Sequence, residues 1–307
     1  MRRYVLGRVL QAALALLGVT CVAFLLVSLS GDPAFILLTP EAGAEQRAAF
    51  RRFYGLDQPL PVQYARYVTH VAQGDFGTSF AFERPALAVV LERLPATLEL
   101  TAAAAVLAVA FGVPAGIVAA VRSGALLDRT VMAVVLLGQS VPTFWLGLLM
   151  IRIFAVNLQW LPVSGRGTWP HLAMPAVALA LFLAALLARI TRSEMLEALS
   201  QDYVRTARAK GLAERSVTAR HALKNALLPI VTLIGLQIGA LLGGAVITET
   251  VFAWPGVGTL VFDAILRKDY PVVLAAVQLV AAGFIVINMS LDLLYGYLDP
   301  RFRGAGA

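Results

Sequence analysis

The chain alternates long apolar runs with shorter polar segments, and the lengths of the apolar runs predict the fold class. A helix needs about 20 residues to cross a hydrocarbon core of about 30 Å. Barrel strands would instead alternate in polarity over segments of about ten residues, and the sequence lacks that pattern. We therefore predict an all-α integral membrane protein with six transmembrane helices, at Leu10–Leu29, Leu100–Val121, Val131–Ile151, Leu172–Ala188, Ala226–Ile247 and Val272–Leu291.

The overall composition leads to the same class of protein. Of the 307 residues, 59% are hydrophobic and 14% are charged, and the mean hydropathy is +0.79. This leaves too little polar surface to cover a soluble globule of this length. Cys21 is the single cysteine and lies within the first apolar run, which excludes an intrachain disulfide and a cysteine metal cluster.

The basic residues predict the orientation of the chain in the membrane. Most of the 25 Lys and Arg residues lie on the side of the bilayer that carries the N-terminus. The positive-inside rule then places both termini in the cytoplasm, and basic residues before a long apolar run make residues 1–30 an uncleaved signal anchor. This membrane-proximal clustering explains the net charge of +7 better than nucleic-acid binding does.

A polar stretch, residues 31–94, separates the first apolar run from the second. It keeps apolar and aromatic residues at helical intervals, which predicts an extracytoplasmic region with short helices at Ala44–Tyr54 and Val62–Ala72. After the fifth run, Thr259–Arg267 predicts a further short helix. The predicted domains are the anchor at 1–30, the region at 31–94 and a five-helix core at 95–303 with a cytoplasmic loop at 190–226.

The sequence lacks the residue patterns of an enzyme. A phosphate-binding loop needs a lysine followed by Ser or Thr, whereas the lysines here precede Gly211, Asn225 and Asp269. The run Gly138–Pro142 begins like a nucleophile elbow but ends in proline inside an apolar run. The histidines have no partner at metal-ligand spacing. We predict no catalytic residue, no metal site and no cofactor on this chain.

The segment Asp202–Pro229 is polar and cationic, lies between two apolar runs, and predicts a helix, a glycine and a second helix. Gly211 can adopt the left-handed conformation that ends a helix, so that Leu212 packs back on the last turn. Acidic residues at the start and basic residues at the end complement the helix dipole and stabilise a short helix. Composition alone is equally consistent with an amphipathic helix on anionic lipid.

The run Thr206–Leu212, reading TARAKGL, resembles the cytoplasmic EAA loop of the integral-membrane subunits of ABC importers. In that family a short coupling helix seats in a groove of the ATPase subunit. The long spacing from Gly211 to Pro229 is similar to that of the dipeptide, oligopeptide and nickel branch. The resemblance implies an ABC type I importer permease fold, coupled to the ATPase within 202–219 by Asp202, Tyr203, Arg205, Thr206, Ala207, Arg208, Lys210, Gly211 and Leu212.

Other stretches resemble the first permease subunit of dipeptide transporters. Gly31–Pro33, Tyr54–Pro59 and Gly74–Ser79 match its N-terminal extension, which the second permease subunit lacks. The run Glu249–Gly258 is also similar to the peptide-permease family, in which it lies at the outer mouth of the pathway. The resemblance therefore implies which of the two permease subunits this is.

The resemblance implies a multi-pass subunit of a prokaryotic inner membrane that imports di- or oligopeptides. Its implied partners are a second homologous permease subunit, two cytoplasmic subunits that bind ATP and Mg, an extracytoplasmic substrate-binding protein and membrane lipid. Nickel and glutathione-like solutes remain alternatives. An ion-coupled secondary transporter, which would want a carboxylate deep in the spans where none precedes Asp292, and a non-transport scaffold are further alternatives.

Polar residues in the apolar runs are candidates for a translocation pathway, because they are costly in hydrocarbon unless they face protein or water. For each of them, an interhelical hydrogen bond is the alternative. The predicted pathway residues are Gln139, Ser140, Thr143 and Gln237, with Glu249 just beyond the fifth run.

Prolines and glycines within the runs also carry predictions. Pro114, Pro142 and Pro175 each remove a backbone hydrogen bond, so each predicts either a kink or a proline that neighbouring helices tolerate. A small-residue face suited to close helix packing is predicted in the fifth run, at Gly235, Gly239, Gly243 and Gly244.

Overall fold

The computed structural model describes residues 2–29, 31, 38 and 43–298. Within these residues the chain is helical, and its only β-type pairing is an isolated bridge between Thr78 and Pro85, so the all-α prediction is confirmed. The chain forms two compact units, residues 1–96 with 255–307, and residues 97–254. Asp32, Pro33 and the predicted C-terminal end lie outside the described residues, and the cytoplasmic placement of the termini stays a prediction.

The helices have the following bounds in chain order. They are α1 (Arg2–Leu29), α2 (Ala44–Tyr54), α3 (Leu60–Ala72), α4 (Ala86–Val121), α5 (Leu126–Ser140), α6 (Thr143–Met150) with a π-helical continuation (Ile151–Asn157), α7 (Trp169–Ser200), α8 (Asp202–Ala209), α9 (Glu214–Ser216) with a π-helical continuation (Val217–Ala222), α10 (Leu223–Val251), α11 (Val257–Leu266) and α12 (Tyr270–Leu298).

Five of these helical stretches are long and apolar enough to cross a membrane, and they lie in α1, α4, α7, α10 and α12. A sixth crossing results if the pair formed by α5 and α6 is one span, although this pair is bent by 99°. The predicted span Val131–Ile151 is therefore bent within its length, at the proline where the sequence allowed a kink. Val141 is extended before Pro142, because the proline ring disfavours the helical conformation of the residue before it.

The other two prolines behave differently from Pro142. Pro175 lies inside α7 and Pro114 inside α4, and both helices continue through them. These helices are also longer than their predicted spans, since α4 begins at Ala86 and α7 continues to Ser200. The additional turns contain charged residues, which a search for uncharged runs necessarily leaves out.

In the first unit, α1 packs along α12, and α3 packs on α1. The buried Gln278 amide donates a hydrogen bond to the Thr20 hydroxyl, and the Tyr64 hydroxyl donates to the Leu17 carbonyl at 3.2 Å. The core of this unit lies between the start of α4, α11 and α12, with buried Val90, Leu260, Val272 and their neighbours. Apolar burial therefore fixes α11 against the adjacent span.

The carboxylate of Asp269 fastens the segment before α4 to the start of α12 in the first unit. Asp269 is 1% exposed, and its oxygens accept hydrogen bonds from the Ser79 hydroxyl and from the N–H groups of Phe80 and Ala81, both at 3.1 Å. Three donors directed at one carboxylate make a strong anchor. The segment before α4 is thus held by hydrogen bonds as well as by apolar contacts.

In the second unit, α7 is the central helix and packs against α5, α6 and α10. It also meets α4 at Gly112 and Gly116. A Cβ at Gly116 would lie 2.5 Å from the Ala188 carbonyl oxygen and 2.6 Å from Thr191 Cβ. The two backbones therefore touch, as small residues at four-residue spacing allow. The sequence analysis placed its small-residue face elsewhere and missed this pair.

A partly buried ion pair joins α5 to α7 near the end from which α8 follows. Arg192 donates from Nε to Asp128 Oδ1 at 2.7 Å and from Nη2 to Oδ2 at 2.8 Å. The Gly124 N–H donates to the same carboxylate at 2.9 Å, and Asp128 is 4% exposed. Because this pair is bidentate and its carboxylate has a third donor, it fixes the relative positions of α5 and α7.

Candidate functional site

The predicted coupling segment begins where α7 ends. Gln201 is extended, with ψ of 152°, and the chain turns there into the short helix α8 at Asp202, as predicted. The Asp202 carboxylate lies in the first turn, 3.4 Å from Arg205 Nη1, and both side chains are exposed. The acidic residue thus stands at the positive end of the helix dipole, where a carboxylate is stabilising.

Gly211 ends this helix by its backbone conformation. Its φ is 76°, its N–H donates to the Arg208 carbonyl at 2.9 Å, and the Leu212 N–H donates to the Ala207 carbonyl at 3.3 Å. No described atom lies within 4 Å of the position that a Gly211 Cβ would take. Glycine is therefore favoured by the left-handed conformation and not by lack of space. The side chain of Leu212 is 41% exposed, so only its backbone packs back.

Small apolar side chains hold α8 on the rest of the second unit. Val204 and Ala207 are buried against Val217, with Leu199 beside them. Ala207 was predicted to couple to the ATPase, but here it faces inward and anchors the helix. Val204 and Val217 were missed; the three-residue spacing of Val204 and Ala207 is the signal that could have revealed the inward face. Val217 begins the π-helical continuation of α9, a rare geometry.

The opposite face of α8 is polar and exposed. Of its basic residues, Arg208 is the one with a partner on another helix, since its Nε donates to Glu214 Oε1 at 2.7 Å. This hydrogen bond raises the pKa of the Arg208 guanidinium above its usual value. Glu214 was not predicted. The exposed residues of the predicted set are Asp202, Tyr203, Arg205, Thr206, Arg208, Lys210, Gly211 and Leu212.

Three of the predicted pathway residues lie at the bend between α5 and α6. Gln139 accepts a hydrogen bond from Arg189 Nη1 at 3.2 Å, and the exposed Ser140 hydroxyl donates to the Leu136 carbonyl at 2.8 Å. Thr143 is the first residue of α6. Gln237 is half-buried on α10. Their role in a pathway stays a prediction.

Glu249 lies in a buried setting at the end of α10. Its side chain is fully buried, and the Thr97 hydroxyl donates to Glu249 Oε1 at 2.7 Å. Nearby, Arg166 pairs with Glu99 and lies 5.9 Å from the centre of the Trp254 ring. This environment favours a structural role for Glu249. Because Glu249 lies in α10, this helix extends past the predicted fifth apolar run and includes a carboxylate.

The fold resembles that of solved ABC transporters. Two inward-facing structures of the MetNI methionine ABC transporter match 69% of this chain and 96% of their own chain, with TM-scores of 0.57 and 0.59 and sequence identities of 21% and 22%. At these identities the likeness concerns the fold. The chain therefore has the ABC type I importer permease fold, as predicted.

Sequence relatives identify the family. Residues 112–304 match the family described as "Binding-protein-dependent transport system inner membrane component", and residues 1–101 match the N-terminal family of the same kind of membrane component. The chain belongs to this family. It is therefore an ABC importer permease, a multi-pass protein of the bacterial inner membrane, and not an ion-coupled secondary transporter.

Two relatives that match this chain over its full length carry the same name. The glutathione transport system permease protein GsiC of Salmonella paratyphi A is 46% identical over 304 residues, covering 99% of each chain. The protein of the same name from Escherichia coli K12 is 43% identical over 304 residues, again covering 99% of each chain. Both are named as transport permeases and not as enzymes.

Proposed function

We propose that this chain is the permease subunit of an ATP-driven importer in which α8 docks on a cytoplasmic ATPase. The observation that carries the docking is the geometry of α8, a short helix fixed by buried Val204 and Ala207 on one face and exposing polar side chains on the other. A helix that is fixed on one face and exposed on the other can transmit a movement of the docked ATPase to the rest of the permease. ATP and Mg then belong to the ATPase subunits, and this chain catalyses no covalent step.

The proposed solute is glutathione or a peptide of similar size. Support comes from the full-length relatives, both of which are named glutathione permeases. Di- and oligopeptides were the predicted solutes and glutathione-like solutes an alternative, and the names of the relatives favour that alternative. The proposed partners are a second permease subunit, two ATPases and an extracytoplasmic binding protein, and the family description supports the last of these.

Uptake into proteoliposomes tests the solute. The complete transporter is reconstituted with ATP inside, and uptake of labelled glutathione, a dipeptide and nickel is compared. We expect ATP-dependent glutathione uptake that a dipeptide inhibits weakly. Uptake of nickel alone would contradict the proposed solute class. Uptake driven by a proton gradient without ATP would contradict the transport mechanism.

Co-purification tests the docking. Arg205→Glu reverses one exposed charge on α8 and is expected to reduce the amount of ATPase that elutes with the chain. Arg220→Glu is the matched control, because it reverses an exposed charge outside 202–219. Equal losses for the two variants would show a general charge effect, and an unchanged amount of ATPase with Arg205→Glu would contradict docking through this face.

A further inference from the structure

An arginine of α7 reaches the middle of the bent span formed by α5 and α6. Arg189 directly follows the predicted fourth apolar run, and its Nη1 donates a hydrogen bond to Gln139 Oε1 at 3.2 Å. Gln139 is the last residue but one of α5 and lies about 20 Å along that helix from its first residue. The 99° bend between the two halves of the span follows directly. The guanidinium therefore lies at the bend and not at an end of the span.

The direction of the Arg189 side chain is informative. Side chains of a helix tilt towards its N-terminus, so Arg189 extends back along α7 and away from the end where α8 follows. An arginine near the end of a membrane helix usually directs its guanidinium outwards, to the interface. Arg189 instead directs its charge into the span. Charges at such positions face the interior of the bundle or a water-filled cavity, because lipid does not solvate them.

Two arginines of α7, three residues apart, differ in what they bind. Arg192 binds both oxygens of Asp128, at 2.7 and 2.8 Å, so a carboxylate neutralises its charge. The partner of Arg189 is the neutral amide of Gln139, and no carboxylate of the described residues pairs with it. A guanidinium has five N–H donors, of which Gln139 accepts one. Arg189 therefore keeps both an uncompensated charge and donors for a further acceptor.

The face of α7 that carries Arg189 is exposed and polar. Ser193, Glu197 and Ser200 follow on this face at helical spacing, and all of them are exposed. A polar face on a membrane-spanning helix must meet water or protein, since hydrocarbon satisfies no polar group. Glu197 lies about 12 Å further along the helix than Arg189 and is too far away to neutralise it. Arg189 is thus the innermost charge of a polar stripe that a solute can reach.

We propose that Arg189 binds the C-terminal carboxylate of the solute during translocation, while Gln139 holds the guanidinium at the bend. This inference rests on the proposed import of glutathione or a peptide of similar size. Peptides of any sequence end in a carboxylate, and a guanidinium binds a carboxylate through two parallel hydrogen bonds. In glutathione the glycine carboxylate is the better partner, because the γ-glutamyl carboxylate stands beside an ammonium group that a guanidinium repels. The same charge would repel a bare metal cation.

Uptake by a substituted transporter tests this proposal. The complete transporter is reconstituted in proteoliposomes with ATP inside and is supplied with saturating loaded binding protein. Uptake of glutathione is compared with uptake of glutathione that is amidated at its glycine. We expect Arg189→Gln to lower glutathione uptake about tenfold, because a hydrogen-bonded charge pair is lost, and to change uptake of the amide little. Stimulated ATP hydrolysis should persist, since α8 is unaltered.

Three further variants define the role of the charge. Arg189→Lys keeps the charge but loses the planar fork, and it should restore part of the glutathione uptake. Gln139→Glu places a carboxylate where the amide now accepts, so that Arg189 is neutralised within the chain, and glutathione uptake should fall as far as with Arg189→Gln. Arg122→Gln is the matched control. It removes an exposed charge in the turn between α4 and α5 and should leave uptake unchanged.

The outcomes separate this inference from the proposed function. Absence of ATP-dependent glutathione uptake by the unsubstituted transporter would contradict the proposed solute. Normal glutathione uptake with Arg189→Gln, or equal losses for glutathione and its amide, would overturn the carboxylate site alone. Loss of the second permease subunit from purified Arg189→Gln would assign the charge to a subunit contact instead. If Arg189→Gln does not fold or the amide is not imported, Gln139→Glu decides, and normal glutathione uptake by that variant counts against the site.

Discussion

Within the second unit, the crossing of α4 and α7 and the segment that carries α8 differ in how they are packed. At the crossing, the backbone of Gly116 lies so close to α7 that a single added carbon would meet the Ala188 carbonyl oxygen at 2.5 Å. At α8, the helix rests on small apolar side chains while its other face is exposed. The crossing has no spare volume, whereas α8 has a free surface.

This difference predicts which positions determine stability and which determine coupling. A change at a close-packed crossing must move backbone, because interiors are packed near crystal density. A substitution on the exposed face of a short helix changes the stability of the folded chain little. Such a substitution instead affects the binding of a partner to that face. We expect substitutions at the crossing to unfold the protein, and substitutions around α8 to lower uptake and stimulated ATP hydrolysis while the spans stay folded.

The largest effect is expected for Gly116→Ala. The added Cβ would overlap the Ala188 carbonyl, and forced overpacking of this kind costs about 3 kcal/mol. This destabilisation is measured as the difference in free energy of unfolding between the variant and the unsubstituted chain, each purified in detergent. The matched control is Gly243→Ala, since no described atom lies within 4 Å of that Cβ position. There alanine should stabilise the helix by about 0.5 to 1 kcal/mol.

Opposite signs for these two glycines would support the comparison. If Gly116→Ala were as stable as the unsubstituted chain, this result would contradict the close approach of α4 to α7. If both variants lost a similar free energy of unfolding, any added methyl group on these helices would be destabilising, and the crossing would not differ from other positions.

The sequence predicted the spans well because a membrane helix must be apolar along its whole length. It allowed a kink at each of three prolines but could not identify Pro142 as the site of the 99° bend, since Pro114 and Pro175 stand in equally apolar runs and their helices continue. Only at Pro142 does the chain leave the helix. The sequence also could not identify the Gly112 and Gly116 crossing, because spacing shows which residues share a face and not which helix covers it.

For the candidate site, the sequence predicted the backbone conformation better than it predicted which side chains contact one another. Gly211 has the expected left-handed φ of 76°, because the conformational freedom of glycine is a local property. The inward role of Ala207 and the contact with Val217 depend on the π-helical turn after α9, which rotates the chain by an amount that the sequence pattern does not contain. The Arg208 to Glu214 hydrogen bond joins α8 to the first residue of α9, which precedes that turn.

A smaller effect is expected for Val217→Ala, which removes two methyl groups from beneath α8. Losing this fully buried contact should cost about 2 kcal/mol and mostly loosen α8 itself. Hydrogen exchange should quicken at 202–212 while α7 and α10 stay protected. Thr218→Ala, at the half-buried next position, serves as the control. Loss of protection throughout α10 would show that α8 and the spans unfold as one body.

A smaller effect still is expected for Gly211→Val. A side chain in the left-handed conformation costs about 1 to 2 kcal/mol, and a branched one is least tolerated. The end of α8 should shift, so that uptake and stimulated ATP hydrolysis fall together in proteoliposomes. Gly211→Asn is the control, because asparagine tolerates this conformation and the space around the Cβ position is open. Normal uptake and normal stimulation with Gly211→Val would contradict coupling through this turn.

The smallest effect is expected for Glu214→Gln, which removes the charge that holds Arg208. Both side chains are exposed, so water and salt screen their attraction and the stability of the chain should not change measurably. Released from Glu214, Arg208 samples more orientations, and stimulated ATP hydrolysis should fall slightly at low salt and approach that of the unsubstituted chain as salt is raised. Glu194→Gln, on α7 and outside α8, controls for the charge change. A loss that is independent of salt would show that Glu214 itself touches the partner, and the free face of the segment would then extend from α8 to α9.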